Sequence, residues 1–151
     1  MHIVLYQPQI PPNTGSIARL CAATGTPLHL IEPLGFSIDD RHLKRAGLDY
    51  WEHVRVKVWP DWQAYLDSAQ PTRLVATCAR FGTPHHEFSF ASDDALVLGP
   101  EATGLPMRII ESIPQLVRIP IWGQVRSLNL ANAASVLLYE AYRQTGALHG
   151  R

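Results

Sequence analysis

The feature that most constrains this chain is an alternation of short β-rich runs with helical stretches. His2–Gln7, Leu28–Ile31, Arg73–Thr77, Ala95–Leu98 and Val117–Ile119 are short and apolar, and each is followed by a Gly, Pro or polar loop. Val54–Val58 alternates valine with Arg55 and Lys57, the pattern of a half-exposed edge strand. Between these runs lie helical patterns at Gly15–Thr24, from Asp61 to about Ala69, at Leu105–Ser112, and in a long Ala- and Leu-rich run opened by Ser127 and reaching Tyr142. Strands separated by helices are joined by crossovers and not by hairpins, so the expected fold is α/β: a mostly parallel sheet covered by helices on both faces. At 151 residues the chain is expected to form a single domain over residues 1–151.

Open parallel sheets collect ligands outside the carboxyl ends of their strands. Thr77, Gly99 and Ile119 stand at three such ends, and the loop before Ser127 would close the same crevice. The loop Leu98–Pro106 holds two glycines and two prolines in nine residues, which makes it stiff and lets its backbone approach a ligand closely. Glu101 is its only acid: it orients a ligand, assists catalysis, or caps the Leu105–Ser112 helix. Ser127-Leu128-Asn129 falls at the positive end of a helix dipole, where Ser127 serves as an N-cap or as a ligand contact. Asn129 and Asn132, three apart, share a helical face and are expected to tie the loop to its neighbours.

Asn13-Thr14, after the breakers Pro8, Pro11 and Pro12, reads as the cap of the first helix, and Gly25 as its left-handed C′ residue. Ile17, Ala18, Leu20 and Cys21 point to a core, and Arg19 to another face. Cys21 and Cys78 sit singly in apolar segments, which argues against a disulfide framework or a zinc site and for buried thiols. His53 and His85-His86 lack metal-ligand spacing and read as surface loop residues, so no metal is expected.

The formal net charge is zero, so any nucleic-acid site must come from local patches. The densest basic cluster is Arg41, His42, Lys44 and Arg45, in a stretch whose acidic-first, basic-last order also suits a helix dipole. Arg126 is a second candidate for RNA contact; Tyr139 and Tyr142 either stack on a base or pack in a core or dimer interface. No P-loop, G-x-G-x-x-G or G-x-S-x-G occurs, which removes most support for nucleotidases, ordinary dinucleotide enzymes and serine hydrolases. No membrane-length apolar run and no charged n-region before a cleavage site are present, so a cytoplasmic location is expected.

Three ordered segments carry a resemblance: Asn13–Arg19 (NTGSIAR), Leu98–Pro106 (LGPEATGLP), and Ile119-Pro120 with Ser127–Ala133 (SLNLANA). They resemble the motifs of the SPOUT-class RNA 2′-O-methyltransferases, over nearly the whole chain. The opening IVLYQPQIPPNTGSIARLCAATG and RHLKRAGLDYWEH (Arg41–His53) narrow the likeness to the minimal tRNA (cytidine/uridine-34) 2′-O-methyltransferases. The chain departs from the pattern at Arg80 and Phe81, where a smaller, Lys-bearing turn is expected.

The resemblance implies a C-terminal trefoil knot, a homodimer, S-adenosylmethionine as cofactor, and the ribose of the wobble nucleotide in a tRNA anticodon stem-loop as substrate. It implies that Thr77, Gly99, Ile119, Ser127 and Leu128 line the cofactor site and that Arg19 is catalytic. A guanidinium stays protonated, so Arg19 is expected to hold a phosphate and stabilise a developing alkoxide instead of removing a proton. Arg41, Lys44, Arg45 and Arg126 are the expected RNA contacts. Two alternatives stay open: the same chemistry on another RNA such as ribosomal RNA, and a non-catalytic RNA-binding dimerisation module.

Overall fold

The computed structural model describes residues 1–38 and 53–151. Along the chain run β1 (His2–Tyr6), α1 (Pro11–Thr24), β2 (Leu28–Ile31), β3 (Val56–Trp59), α2 (Trp62–Ala69), β4 (Arg73–Thr77), β5 (Thr83–Pro84), β6 (Asp94–Leu98), α3 (Met107–Ser112), β7 (Gln115–Arg118) and α4 (Leu130–Gln144). The strands form one seven-stranded sheet in the order β3-β2-β1-β6-β4-β7-β5. Every neighbouring pair is parallel, as crossover helices require.

Both faces of the sheet are buried because successive side chains on a strand point to opposite sides. Ile3, Leu5, Leu28, Leu30, Val75, Leu96, Leu98 and Val117 pack under α1 and α4, meeting Ile17, Ala18, Cys21, Leu137 and Leu138. Val4, Tyr6, Ile31, Ala76, Ala95 and Val97 pack under α2 and α3, meeting Tyr65, Ile109 and Ile110. The edge position of β3 accords with its alternating sequence. β5, two residues long on the opposite edge, is too short to leave a periodic signal.

Several boundaries differ from expectation. α1 begins at Pro11, not after an Asn13-Thr14 cap; Pro is tolerated in a first turn because those amides have no intrahelical acceptor, and Asn13 and Thr14 lie buried inside the helix. α4 begins at Leu130, not Ser127. Asn129 is its N-cap, the side-chain oxygen accepting from Ala131 N at 2.9 Å and Asn132 N at 3.3 Å. Asp61 caps α2 through Ala64 N at 2.8 Å, and Gly25 ends α1 with φ +65°, both as the sequence suggests. The Asp39–Gly47 segment, with Arg41, Lys44 and Arg45, lies outside the described residues. Among the described residues no helix is long and apolar enough to cross a membrane, and no group of His, Cys, Asp and Glu is arranged to hold a metal ion.

Candidate functional site

The carboxyl ends of three adjacent strands, β6, β4 and β7, open into a cavity of about 730 Å³. That volume falls within the ~300–1,000 Å³ usual for small-molecule sites. Thr77 ends β4, Gly99 follows β6 and Ile119 follows β7, and all three line it. Arg126, Ser127 and Leu128 close it from the loop before α4. Segments separated by up to about fifty residues thus meet because a parallel sheet puts the same end of each strand on the same side.

The glycine loop makes one wall. A Cβ on Gly99 would overlap the main-chain nitrogen of Leu105, so the loop can fold back on itself only if residue 99 has no side chain. Gly104 turns it with φ +69°, and its amide donates to Pro100 O at 2.8 Å. This brings main-chain groups to the cavity surface, where apolar Leu98, Leu105, Ile119 and Leu130 also stand.

Glu101 does not cap the helix that follows it. Its carboxylate accepts from the amides of Gln9 at 2.8 Å and Ile10 at 3.1 Å, and from Asn13 Nδ2 at 3.2 Å, so it satisfies donors at the start of α1. Asn13 Oδ1 in turn accepts from Asn129 Nδ2 at 2.9 Å. One polar relay therefore ties the glycine loop, α1 and the start of α4. Asn13 thus bridges elements and does not cap α1, while Asn129 ties the start of α4 to a neighbouring element as the sequence suggests.

Ser127 is exposed and lies three positions before the first residue of α4, so it does not open that helix; it nevertheless lines the cavity. Cys78 is half-buried and also lines the cavity, in contrast to the buried thiol expected of it. Cys21 is buried as expected, and burial pushes its thiol up to about 12, leaving it inert. Arg126 stands exposed at the rim. Arg19 is exposed on α1 and is not among the residues that line the cavity. Tyr142 bonds Thr26 through its hydroxyl at 2.6 Å, while Tyr139 is exposed. His86 is exposed, but His85 is half-buried, with Nδ1 lacking a hydrogen-bond partner.

Arg80 and Phe81, on the loop between β4 and β5, complete the rim, the position at which the sequence departs from the family pattern. The arrangement suits a ligand with an extended polar part against the glycine-loop backbone and an apolar part between the leucine and isoleucine side chains. Among the described residues, no cluster of acids or histidines lines the cavity.

The comparisons with known proteins fit this geometry. The chain is 57% identical over 148 residues to a tRNA (cytidine(34)-2′-O)-methyltransferase of Aeromonas hydrophila, covering 97% of this chain and 95% of the relative. A solved structure reported under "Structural insights into the 2-OH methylation of C/U34 on tRNA" superposes with a TM-score of 0.92 at 48% identity, covering 99% of this chain and 97% of that one. The SpoU methyltransferase AviRb from Streptomyces viridochromogenes, solved in complex with the cofactor AdoMet, superposes with a TM-score of 0.84 at 29% identity, covering 95% of this chain and 60% of that one. Residues 1–139 match the family model described as SpoU rRNA Methylase, and the chain belongs to that family.

Proposed function

We propose that this protein transfers a methyl group from S-adenosylmethionine to the ribose 2′-oxygen of nucleotide 34 of tRNA, a cytidine or a modified uridine. The observation that carries the reading is the near-full-length likeness to enzymes of that name, joined to a cavity built from the three sequence motifs. The cavity residues fit the cofactor: Gly99 lets the glycine loop fold back on itself and bring main-chain groups to the cavity wall, and Leu98, Ile119, Leu128 and Leu130 offer apolar surface beside it. Thr77, Gly99, Ile119, Ser127 and Leu128 are the residues we assign to holding it.

S-adenosylmethionine, when bound, supplies a methyl group already activated by its sulfonium. The protein's work is then positioning: the ribose oxygen must sit in line at near-attack distance, roughly 3–3.5 Å. Arg126 at the rim and Arg41, Lys44 and Arg45 are assigned to the phosphates of the anticodon stem-loop. Arg19 is assigned to a phosphate and to the alkoxide that develops as the 2′-hydroxyl loses its proton. It stands away from the cavity lining of its own protomer, so this role requires the RNA or a second copy of the chain to join the two. A homodimer also enlarges the surface that a chain of this size offers to a stem-loop.

The reading includes a single methyltransferase domain over residues 1–151, a cytoplasmic location with the tRNA pool, and a trefoil knot at the C-terminus. Supporting the knot, β7 is separated from β6 by β4, and the chain after β7 returns beside the glycine loop to reach α4 against α1.

Nucleoside mass spectrometry of tRNA and ribosomal RNA incubated with the purified protein and S-adenosylmethionine tests the assignment. The expected product is 2′-O-methylated nucleotide 34; methylation confined to ribosomal RNA, or none, overturns it. For Arg19, Arg19→Lys is expected to lose turnover while keeping RNA affinity, and wild-type turnover in that variant removes the special place of the guanidinium.

A further inference from the structure

Phe81 presents an aromatic ring to solvent at the rim of the cavity, 49% exposed, on a loop pinned at both ends. At its start the amide of Cys78 donates to Val117 O at 3.0 Å. At its end Thr83 pairs with Val117 in the sheet, and Arg118 Nε donates to Gly82 O at 3.1 Å. Gly82 takes φ +108°, and a Cβ there would stand 2.8 Å from the main-chain carbonyl carbon of Leu116, so β7 and this loop meet only through a glycine. Arg80, also exposed and also lining the cavity, precedes the ring directly. A single exposed aromatic is ordinary on a protein surface. An aromatic face and a guanidinium fixed together at a cavity mouth offer one surface for stacking and one for a phosphate.

We infer that Phe81 is a positioning residue that stacks on the base of the target nucleotide, with Arg80 on an adjoining phosphate. The inference rests on the proposed transfer to tRNA. A ribose whose 2′-oxygen points into the cavity leaves its base outside, at the rim, where Phe81 stands. A nucleotide in a single-stranded loop has its π-face available at little unstacking cost. Stacking tolerates any base, so one ring serves a cytidine and a modified uridine alike.

The test uses the full-length chain and its variants Phe81→Ala, Phe81→Leu, Phe81→Tyr and Arg80→Ala. Binding of a synthetic anticodon stem-loop is followed by fluorescence anisotropy, tRNA methylation by steady-state kinetics, S-adenosylmethionine affinity by calorimetry, and oligomeric state by gel filtration. Phe81→Ala is expected to raise both Kd for the stem-loop and KM for tRNA about tenfold, with kcat within about twofold of wild type. Phe81→Tyr restores binding and Phe81→Leu, apolar but without a π-face, does not. Arg80→Ala is expected to reduce the slope of log affinity against log salt by about 0.7, one phosphate contact to a single strand. Unchanged stem-loop binding in Phe81→Ala, or full rescue by Phe81→Leu, overturns the inference. So does a loss confined to S-adenosylmethionine affinity, which places the ring on the cofactor, or a changed oligomeric state, which places it in a protein contact. Stem-loop binding is read without turnover, so the two readings fail separately. A protein that binds through Phe81 but methylates no nucleotide 34 refutes the activity alone, and an active enzyme indifferent to Phe81 refutes the platform alone.

Discussion

The two ends of the parallel sheet are made of the same strands and behave as opposites. At the amino end, side chains satisfy one another. His2 Nε2 and the Tyr65 hydroxyl share a hydrogen bond of 2.8 Å, and His29 Nδ1 accepts at 3.0 Å from Nε1 of Trp59, whose side chain reaches back from the end of β3 to stack on the His29 ring at 5.8 Å. Asp94, fully buried at the start of β6, receives Arg73 Nη2 at 2.7 Å and the amide of Ala91 at 2.8 Å. None of these residues lines the cavity. At the carboxyl end, polar groups come from loops, glycines bring main chain to the surface, and side chains such as Phe81 and Ser127 are left exposed. The difference teaches a division of labour in this sheet: residues at the starts of β1, β2 and β6 close the structure, and the loops after β4, β6 and β7 wall the cavity.

Substitutions at the two ends should therefore separate stability from ligand affinity. Arg73→Ala leaves the Asp94 carboxylate buried without its cation and is expected to cost about 3–5 kcal/mol in chemical denaturation, with S-adenosylmethionine affinity of the folded fraction unchanged. A matching loss of affinity in that variant would break the comparison. Gly99→Ala should act the other way. The added Cβ forces the glycine loop off the end of β6, and cofactor affinity by calorimetry is expected to fall about 100-fold, near 3 kcal/mol, with a smaller drop in Tm. Glu101→Ala removes the acceptor of two amides and of Asn13, and should cost about 1–2 kcal/mol in thermal unfolding together with a several-fold loss of affinity, because the relay belongs to both α1 and the cavity wall.

The histidines at the amino end add a pH dependence to the comparison. Burial holds His2 and His29 at about 4, below their ordinary 6.5, with the neighbouring N-terminal ammonium adding to the shift for His2. The unfolded chain then binds more protons than the folded one between pH 6.5 and 4, so stability is fully present above about 6.5 and is lost as pH falls through that window. A double variant, His2→Gln with His29→Gln, should flatten this dependence in denaturation curves, while cofactor affinity of the folded protein stays put.

How much of this was legible in the sequence varied with the physics involved. Alternation of strand and helix patterns implied a parallel sheet, and the sheet alone brings Thr77, Gly99 and Ile119 to one cavity, because strand-end placement is a property of topology. Asp61 and Gly25 could be recognised because their caps are local. Glu101 could not: its partners at Gln9, Ile10 and Asn13 are about ninety residues away, and a nearby helix start offered a plausible but wrong client. Ser127 lost the N-cap position to Asn129 for a related reason. Asn129 can accept from the helix with its oxygen and donate to Asn13 with its nitrogen, a double engagement that a hydroxyl at Ser127 does not reach. The Phe81 platform was hidden because its rigidity is set by Arg118 and Leu116 on another strand.

The relay of Glu101, Asn13 and Asn129 also couples the two halves of the chain mechanically. In the finished protein the final segment is thereby latched by the N-terminal half, and prising α4 from its seat would loosen the wall of the cavity in the same movement.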